Sequence, residues 1–368
     1  MKKFEIRNSK LDIPRFQKNL LRWYRKHKRD LPWRQTNDPY KIWISEIMLQ
    51  QTTVAAVVAY YHRFLKRFPD LRSLAEATEE EVLALWSGLG YYSRAKNIHR
   101  SARKILVEHA GIFPKDPEKI AALPGIGRYT LGAVGSIAFG LPLPVVDGNV
   151  IRVYARLFAL KGDPKDSKFQ KQIWEVATSH LSSRSPGDFN QALMELGATI
   201  CTPQKPLCLL CPVQGSCEGR LKGAEGFPER KKRAETKTLK RIAAVIESEG
   251  RVLLTLSEKH RWMKGLWQLP SLFAENGESP ETLTRKLIRG LGLSPAEVAP
   301  LPTYVHAITH HRITILPFRI HLKKAGRGAQ SSEGREPFEQ KKWFLKAQIP
   351  QIALPSADRK ILNCLPTF

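Results

Sequence analysis

Residues 201–217 read CTPQKPLCLLCPVQGSC and hold four of the chain's five cysteines. The spacing is C-x6-C-x2-C-x5-C, over Cys201, Cys208, Cys211 and Cys217. Four thiolates in a compact loop suit one iron–sulfur cluster or one tetrahedral zinc ion. Zinc ribbons usually present two C-x2-C knuckles. Only the middle pair forms one here, so the cluster fits the spacing better. Cys364 stands far away as a core or surface thiol. The loop also divides the chain: helical patterns precede it and strand patterns follow it.

The chain has 368 residues, enough for two domains that each bury a core. Its net charge is +26, which makes a polyanion, nucleic acid first, the expected partner. A highly charged soluble surface is the alternative. The N-terminal MKKFEIRNSK is charged and lacks the apolar core of a signal peptide. No apolar run approaches the roughly 18 residues a membrane span needs. These features predict a cytoplasmic protein with no membrane partner, in a compartment where clustered thiols bind metal more often than they pair.

Residues 14 to about 217 read as helices. FQKNLLRWYRKH places Phe16, Leu20, Trp23 and Tyr24 at helical spacing. DPYKIWISEIMLQQT, EEEVLALWSGLG and SRAKNIHRSARKILVEH follow between Gly, Pro and Asp punctuation. LPGIGRYTLGAVGSIAFG begins with a tight turn and continues as a helix of small residues. Residues 218–240 are rich in Gly, Lys and Arg and poor in apolar residues, which predicts a basic linker. From Ile242 the period becomes two. RIAAVIES, the turn EG and RVLLTL predict a hairpin, HRITILPFRIHL another strand, and SPETLTRKLIRGLG a helix between strands. The expectation is an all-α domain over 1–217, the linker, and an α+β domain over 241–368.

LPGIGRYT, from Leu123 to Thr130, reads as a helix-hairpin-helix turn. Gly125 and Gly127 permit a tight backbone whose N–H groups face a phosphate beside the next helix's N-terminus. Such a contact positions a protein on DNA without reading sequence. About 20 residues later comes VVDGNVIR, with Asp147 beside Val145, Val146 and Gly148. Asp147 suits either the N-cap of the helix that follows or a functional carboxylate. Glu46 lies in WISEIMLQQTT among Trp43, Ile47 and Leu49. By itself it reads as a charge on an amphipathic helix.

The cysteine spacing resembles the cluster loop of the endonuclease III-like, helix-hairpin-helix DNA glycosylases, which carry a [4Fe-4S] cluster that shapes a basic DNA-contacting loop. Lys205 sits inside this loop and Arg220 just beyond it. SEIMLQQT together with LPWR (Leu31 to Arg34) is similar to the adenine-specific branch of that superfamily, MutY. The resemblance implies that Asp147, following the hairpin, is the catalytic aspartate and that Glu46 is a proton donor, its pKa raised by apolar neighbours. Bifunctional relatives place a Schiff-base lysine two residues after the hairpin's second glycine. Tyr129 stands there in this chain, which implies a monofunctional enzyme.

The mechanism this implies starts with a flipped adenine. Glu46 protonates N7, and Asp147 stabilises the oxocarbenium-like sugar left behind. Tyr129 and Asn149 hydrogen-bond around this centre. Arg34 and Val54 match adenine-pocket positions. Gln51 and Tyr91 match residues that wedge into the base stack, with Thr52 beside the first and Leu89 on the same glycine-bounded loop as the second. Read alone, Tyr91 is an ordinary core aromatic, as Tyr92 is expected to be. The implied partner is double-stranded DNA bearing A opposite 8-oxoguanine or G, bound by a monomer, at the nucleoid in a bacterium.

The second domain resembles the Nudix-like (MutT-like) domain of that branch, which reads 8-oxoguanine. GLWQLPS (Gly265 to Ser271) carries the likeness. The stretch TRKLIRGLGL, where a hydrolytic Nudix box would hold metal, offers Arg285, Lys286 and Arg289 and no carboxylate. That implies damage recognition rather than pyrophosphate hydrolysis. The family's Phe-Ser-His recognition triplet is replaced by Ile308, Thr309 and His310. Thr309 keeps a hydroxyl for the lesion's edge. A plain hairpin turn with exposed histidines is the other reading. An endonuclease III-like pyrimidine glycosylase and lyase is the alternative function; Tyr129 and the second domain argue against it. A non-enzymatic, cluster-containing DNA-binding or redox-sensing protein is opposed by Glu46 and Asp147 occurring together with the hairpin.

Overall fold

The computed structural model describes residues 11–229, 235–256, 265–274, 277–293, 295–308, 310–322 and 340–365. The chain forms two compact units. One joins Met1–Glu76 to Asn97–Lys232; the other joins Ala77–Lys96 to Arg233–Phe368. Among the described residues no helix is long and apolar enough to cross a membrane.

The helical region runs through α1 (Ile13–His27), α2 (Pro39–Leu49), α3 (Val54–Arg67), α4 (Leu71–Glu76), α5 (Glu79–Trp86), α6 (Ser93–Glu108), α7 (Pro117–Ala121), α8 (Arg128–Phe139), α9 (Gly148–Leu157), α10 (Ser167–His180), α11 (Pro186–Thr199) and α12 (Glu218–Leu221). Short polar residues start many of them. Asp12 caps α1 by accepting from the Arg15 N–H at 3.0 Å, Asp38 caps α2 through Tyr40, and Asp116 caps α7 through Glu118. Helix α1 is amphipathic and buries Phe16, Leu20 and Tyr24. Helix α2 is buried on nearly every side, from Tyr40 to Met48.

Glycines let these helices pack closely where the site lies. A Cβ on Gly132 of α8 would stand 2.2 Å from the Pro144 carbonyl oxygen, and one on Gly197 of α11 would stand 2.5 Å from Asn149 Cβ. Residues 218–229 also pack on this unit. Phe227 is buried and its carbonyl accepts from Arg156 Nε at 3.1 Å, while the Glu229 N–H reaches the Gly162 carbonyl at 3.1 Å. A stretch that reads as linker is therefore ordered by one aromatic ring and by backbone bonds.

The second unit holds a mixed sheet of β1 (Lys237–Ser248), β2 (Arg251–Leu256), β3 (Trp267–Gln268), β4 (Ser271–Phe273), β5 (Pro295–Pro300), β6 (Tyr304–Ile308), β7 (His311–Leu322) and β8 (Gln340–Leu345), with α13 (Pro280–Leu291) and α14 (Ser356–Asn363). Strand β1 runs parallel to β7, from Lys237 opposite His311 to Glu247 opposite His321. Strand β2 pairs antiparallel with β1, β3 and β8. The β1–β2 turn is made by Glu249 and Gly250, both at positive φ (48° and 71°), as a two-residue hairpin requires. Alternate β1 residues serve two cores: Ile242, Ala244 and Ile246 pack with Leu283 and Leu287 of α13, and Ala243 and Val245 with Ile361 and Leu362 of α14. Arg241 of β1 and Asp358 of α14 form a fully buried bidentate pair at 2.6 and 3.1 Å. Asp358 also accepts from the Leu269 N–H at 2.9 Å. The hairpin, the β7 strand and the α13 helix match the sequence reading.

Candidate active site and cluster loop

Helix α2 carries Glu46 into the core of the first unit, where it is 4% exposed. Its carboxylate accepts from the Tyr129 hydroxyl at 2.5 Å. Burial lifts the Glu46 pKa to about 7; the Tyr129 hydrogen bond opposes the rise, the Asp147 charge adds to it, and Arg34 lowers it. Burial also pushes the Tyr129 phenol well above its usual range, with the Glu46 and Asp147 charges adding to it. Tyr129 is therefore a neutral donor at any working pH.

Asp147 caps α9, accepting from the Val150 N–H at 2.7 Å and from Asn149 Nδ2 at 2.8 Å. The cap reading holds, and the cap fixes the carboxylate in place near Glu46. Burial raises its pKa, while the hydrogen bonds from Val150 and Asn149 and the charge of Arg152 pull it back. The helix N-terminus favours its charged form as well.

A chain of contacts runs from this cap to the cysteine loop. Asn149 Oδ1 accepts from Arg152 Nη2 at 2.8 Å, and Arg152 Nε donates to the Cys201 carbonyl at 2.7 Å. One turn further, Arg156 is 1% exposed and donates to the Cys201 sulfur at 3.4 Å and to the Thr202 carbonyl at 2.6 Å. The sequence reading missed both arginines. Their spacing of four from each other, on one face of α9, is the signal that could have found them.

All four cysteines of the loop are free of disulfides and line one cavity with Arg156 and Arg220. Among the described residues no three His, Cys, Asp or Glu side chains are arranged around a single metal ion. Four thiols lining one cavity match the ligand count of an iron–sulfur cluster. Burial pushes the Cys211 thiol up to about 12, and the neighbouring cysteines add to the rise. A positively charged iron core is what would hold such thiols as thiolates. The residues present thus fit an iron–sulfur cluster.

Arg34 is 9% exposed at its side chain and donates to Glu195 at 2.7 Å and to the Arg29 carbonyl at 3.0 Å. Glu195 of α11 also takes a bidentate pair from Arg29 at 2.8 Å, which holds its carboxyl down at about 2 against the burial that would raise it. Sequence reasoning missed Glu195; a lone carboxylate inside the apolar run ALMELGA was its signal. Val54 starts α3 and is half-buried, Thr52 is half-buried, and Gln51 is exposed at φ 59°. Gly125, at φ 77°, lies so close to Asn97 that a Cβ would stand 2.7 Å from that side chain. Gly127 caps α8 with open space around its α-carbon.

In the second unit Tyr91 is 46% exposed at φ 49°. Leu89, expected on the inserting loop, is instead 7% exposed, its N–H bonded to the Trp86 carbonyl. His310 is exposed in the turn between β6 and β7, with its ring 4.0 Å from that of His311. Ile308 pairs with His311 in register and packs on the core. Thr309 lies outside the described residues.

Residues 44–179 match the family described as HhH-GPD superfamily base excision DNA repair protein. Residues 201–217 match the iron-sulfur binding domain of endonuclease III, and 241–364 the NUDIX domain. The chain is similar to the adenine DNA glycosylase of Mus musculus, 37% identical over 96% of this chain and 78% of that protein. It is also similar to the adenine DNA glycosylase of Buchnera aphidicola (subspecies Acyrthosiphon pisum), 34% identical over 95% of this chain and 97% of that one. Among solved structures, a thermostable thymine-DNA glycosylase superposes with a TM-score of 0.52 at 31% identity, covering 57% of this chain and 97% of that one. Identity at this level extends over nearly the whole chain, and the chain belongs to the adenine DNA glycosylase family.

Proposed function

We propose that this enzyme removes adenine opposite 8-oxoguanine or guanine in duplex DNA by hydrolysing the N-glycosidic bond, with no lyase step. One observation carries the reading. Glu46 is buried beside a neutral hydroxyl with its pKa near 7, and Asp147 is fixed close enough to raise it further. A carboxyl of that pKa is a proton donor at neutral pH.

In this reading the flipped adenine is protonated at N7 by Glu46, which becomes a carboxylate. The C1′–N9 bond breaks and its electron pair leaves with the base. Positive charge on the sugar meets the Asp147 carboxylate, held ready by the Val150 and Asn149 donors. Water then adds at C1′, and its proton returns to Glu46. Tyr129 hydrogen-bonds the general acid where a bifunctional relative has its lysine, so no amine is present to open the sugar.

The hairpin backbone at Gly125–Gly127 and the basic cysteine loop are the proposed phosphate contacts. The cluster's contribution when bound is structural: it cross-links four thiolates and so fixes the loop. Arg152 and Arg156 tie that loop to the helix that presents Asp147. The sheet domain is the proposed reader of the base opposite adenine, through Thr309 and His310. In α13 the stretch that would bear a hydrolytic metal site carries Arg285, Lys286 and Arg289, which supports recognition over hydrolysis.

The test is single-turnover cleavage of duplexes holding A opposite 8-oxoG, A opposite G, and thymine glycol opposite A. The expected result is adenine release, fastest opposite 8-oxoG, with strand breaks only after alkali. Preference for thymine glycol, or nicking without alkali, would show an endonuclease III-like lyase instead.

A further inference from the structure

The exposed Tyr91 sits on a loop whose anchors lie more than 250 residues away in sequence. Helix α5 ends at Trp86. The chain then passes Ser87, Gly88 at φ 103°, Gly90 at φ 71° and Tyr91 at φ 49° before α6 begins. A non-glycine residue at positive φ is held there only when its surroundings fix it. Part of that restraint is local. Trp86 Nε1 donates to the Gly90 carbonyl at 3.1 Å, and Arg94 Nη2 donates to the carbonyls of Leu89 and Gly90, each at 3.1 Å.

The rest comes from the C-terminal segment of the same unit. The Leu354 carbonyl accepts two hydroxyls, Tyr92 Oη at 2.8 Å and Ser87 Oγ at 3.0 Å. Arg359 of α14 donates to Ser87 Oγ at 3.2 Å and to the Ile352 carbonyl at 2.6 Å. Tyr92 Oη in turn accepts from the Gly88 N–H at 3.4 Å. Leu354 is fully buried and Ser87 nearly so, so these bonds form away from competing water. Both flanks of the Tyr91 loop thus end on one carbonyl, itself placed between the Lys346–Gln351 3-10 turn and α14.

We infer that Tyr92 and Arg359 are positioning residues that set the conformation of the Tyr91 loop from the C-terminal domain, so that wedge insertion into the duplex depends on the domain proposed to read the opposite base. This rests on the functional reading above, in which Tyr91 is the wedge. Tyr92 acts through its hydroxyl, not as a simple core aromatic. Neither residue touches the reacting atoms.

The experiment uses the full-length, cluster-loaded protein and a duplex with 2-aminopurine beside the 8-oxoG of an A mispair. Duplex dissociation constants, 2-aminopurine fluorescence and single-turnover rates are measured for Tyr92→Phe and Arg359→Gln, each with and without Tyr91→Ala. Losing the hydroxyl that donates to the buried Leu354 carbonyl and accepts from the Gly88 N–H predicts about a tenfold weaker complex for Tyr92→Phe, with a matching loss of the fluorescence change. In the Tyr91→Ala background the same substitution should cost nothing further, because the side chain it positions is gone. Additive losses, an unchanged Tyr92→Phe complex, or a Tyr91→Ala variant that binds like the wild type would each overturn the inference. Tyr92→Phe keeps the ring and its packing, so it carries the test if Arg359→Gln fails to fold. A wild-type protein that bound duplex but released no adenine would sink the functional reading instead, and the binding coupling would still report on the clamp.

Discussion

Two glutamates are buried in the helical unit, and they are treated in opposite ways. Glu195 faces two arginines, with Arg29 and Arg34 both within 2.8 Å, and its carboxyl is held at about 2. Glu46 has a tyrosine hydroxyl at 2.5 Å, a second carboxylate nearby and Arg34 acting only through its charge, and its carboxyl rises to about 7. Burial pushes both pKa values upward; the partners decide the outcome. The compensated carboxylate is a permanent anion that staples α11 to the chain after α1. The uncompensated one is a proton store. The proposed chemistry lies where the fold leaves charge unbalanced.

The largest effect that bears on this contrast belongs to Asp147, which raises Glu46 and in the proposed mechanism faces the sugar. Asp147→Asn keeps a good helix cap but removes the negative charge. Single-turnover excision should fall by roughly a thousandfold or more, while duplex affinity stays within about twofold. A near wild-type rate would show that the charge is not used.

Next comes the compensated pair. Glu195→Ala leaves two partly buried arginines without their counter-charge and should destabilise the protein by about 3–5 kcal/mol, read by denaturant unfolding. A loss below about 1 kcal/mol would place Glu195 with ordinary surface ion pairs.

Stability against pH sharpens the comparison further. Glu46 has a folded pKa of about 7 against an ordinary 4.5, so its contribution is fully present below pH 4.5 and is lost as pH rises through 7. Glu195 has a folded pKa of about 2 against 4.5, so its contribution is present above pH 4.5 and is lost as pH falls through 2. Glu46→Gln should therefore stabilise the protein at pH 8, by up to about 3 kcal/mol, and change little at pH 4.5. The sign should reverse for Glu195→Gln: destabilising at neutral pH, with the penalty fading in acid. Parallel profiles for the two variants would erase the distinction.

The sequence made one side of this comparison legible and hid the other. Glu46 and Asp147 each lie in a short motif that can be read locally, an apolar helix and a helix cap, although Glu46 meets Tyr129 across 83 residues. Glu195 meets Arg29 and Arg34 across more than 160 residues, and no local pattern records that. Arg152 and Arg156 were obscured for the same reason, because they bind main-chain groups of a distant loop. The hairpin of β1 and β2, the α13 helix and the cysteine loop followed from period and spacing. The order in residues 218–229 did not, since a single ring, Phe227, and bonds to backbone replace the apolar pattern a reader looks for. The positive φ of Gln51 and Tyr91 is a backbone property that their side-chain types do not advertise.

The central claim is that Glu46 donates the proton and that its environment sets when it can. The direct measurement is the pH profile of single-turnover adenine release, taken for the wild type and for Tyr129→Phe. Removing the hydroxyl removes the hydrogen bond that holds the Glu46 pKa down. The wild-type rate should fall as pH rises above about 7, and the falling limb of Tyr129→Phe should lie at higher pH. A rate that stays level to pH 9, or a limb that does not move in the variant, would contradict the account.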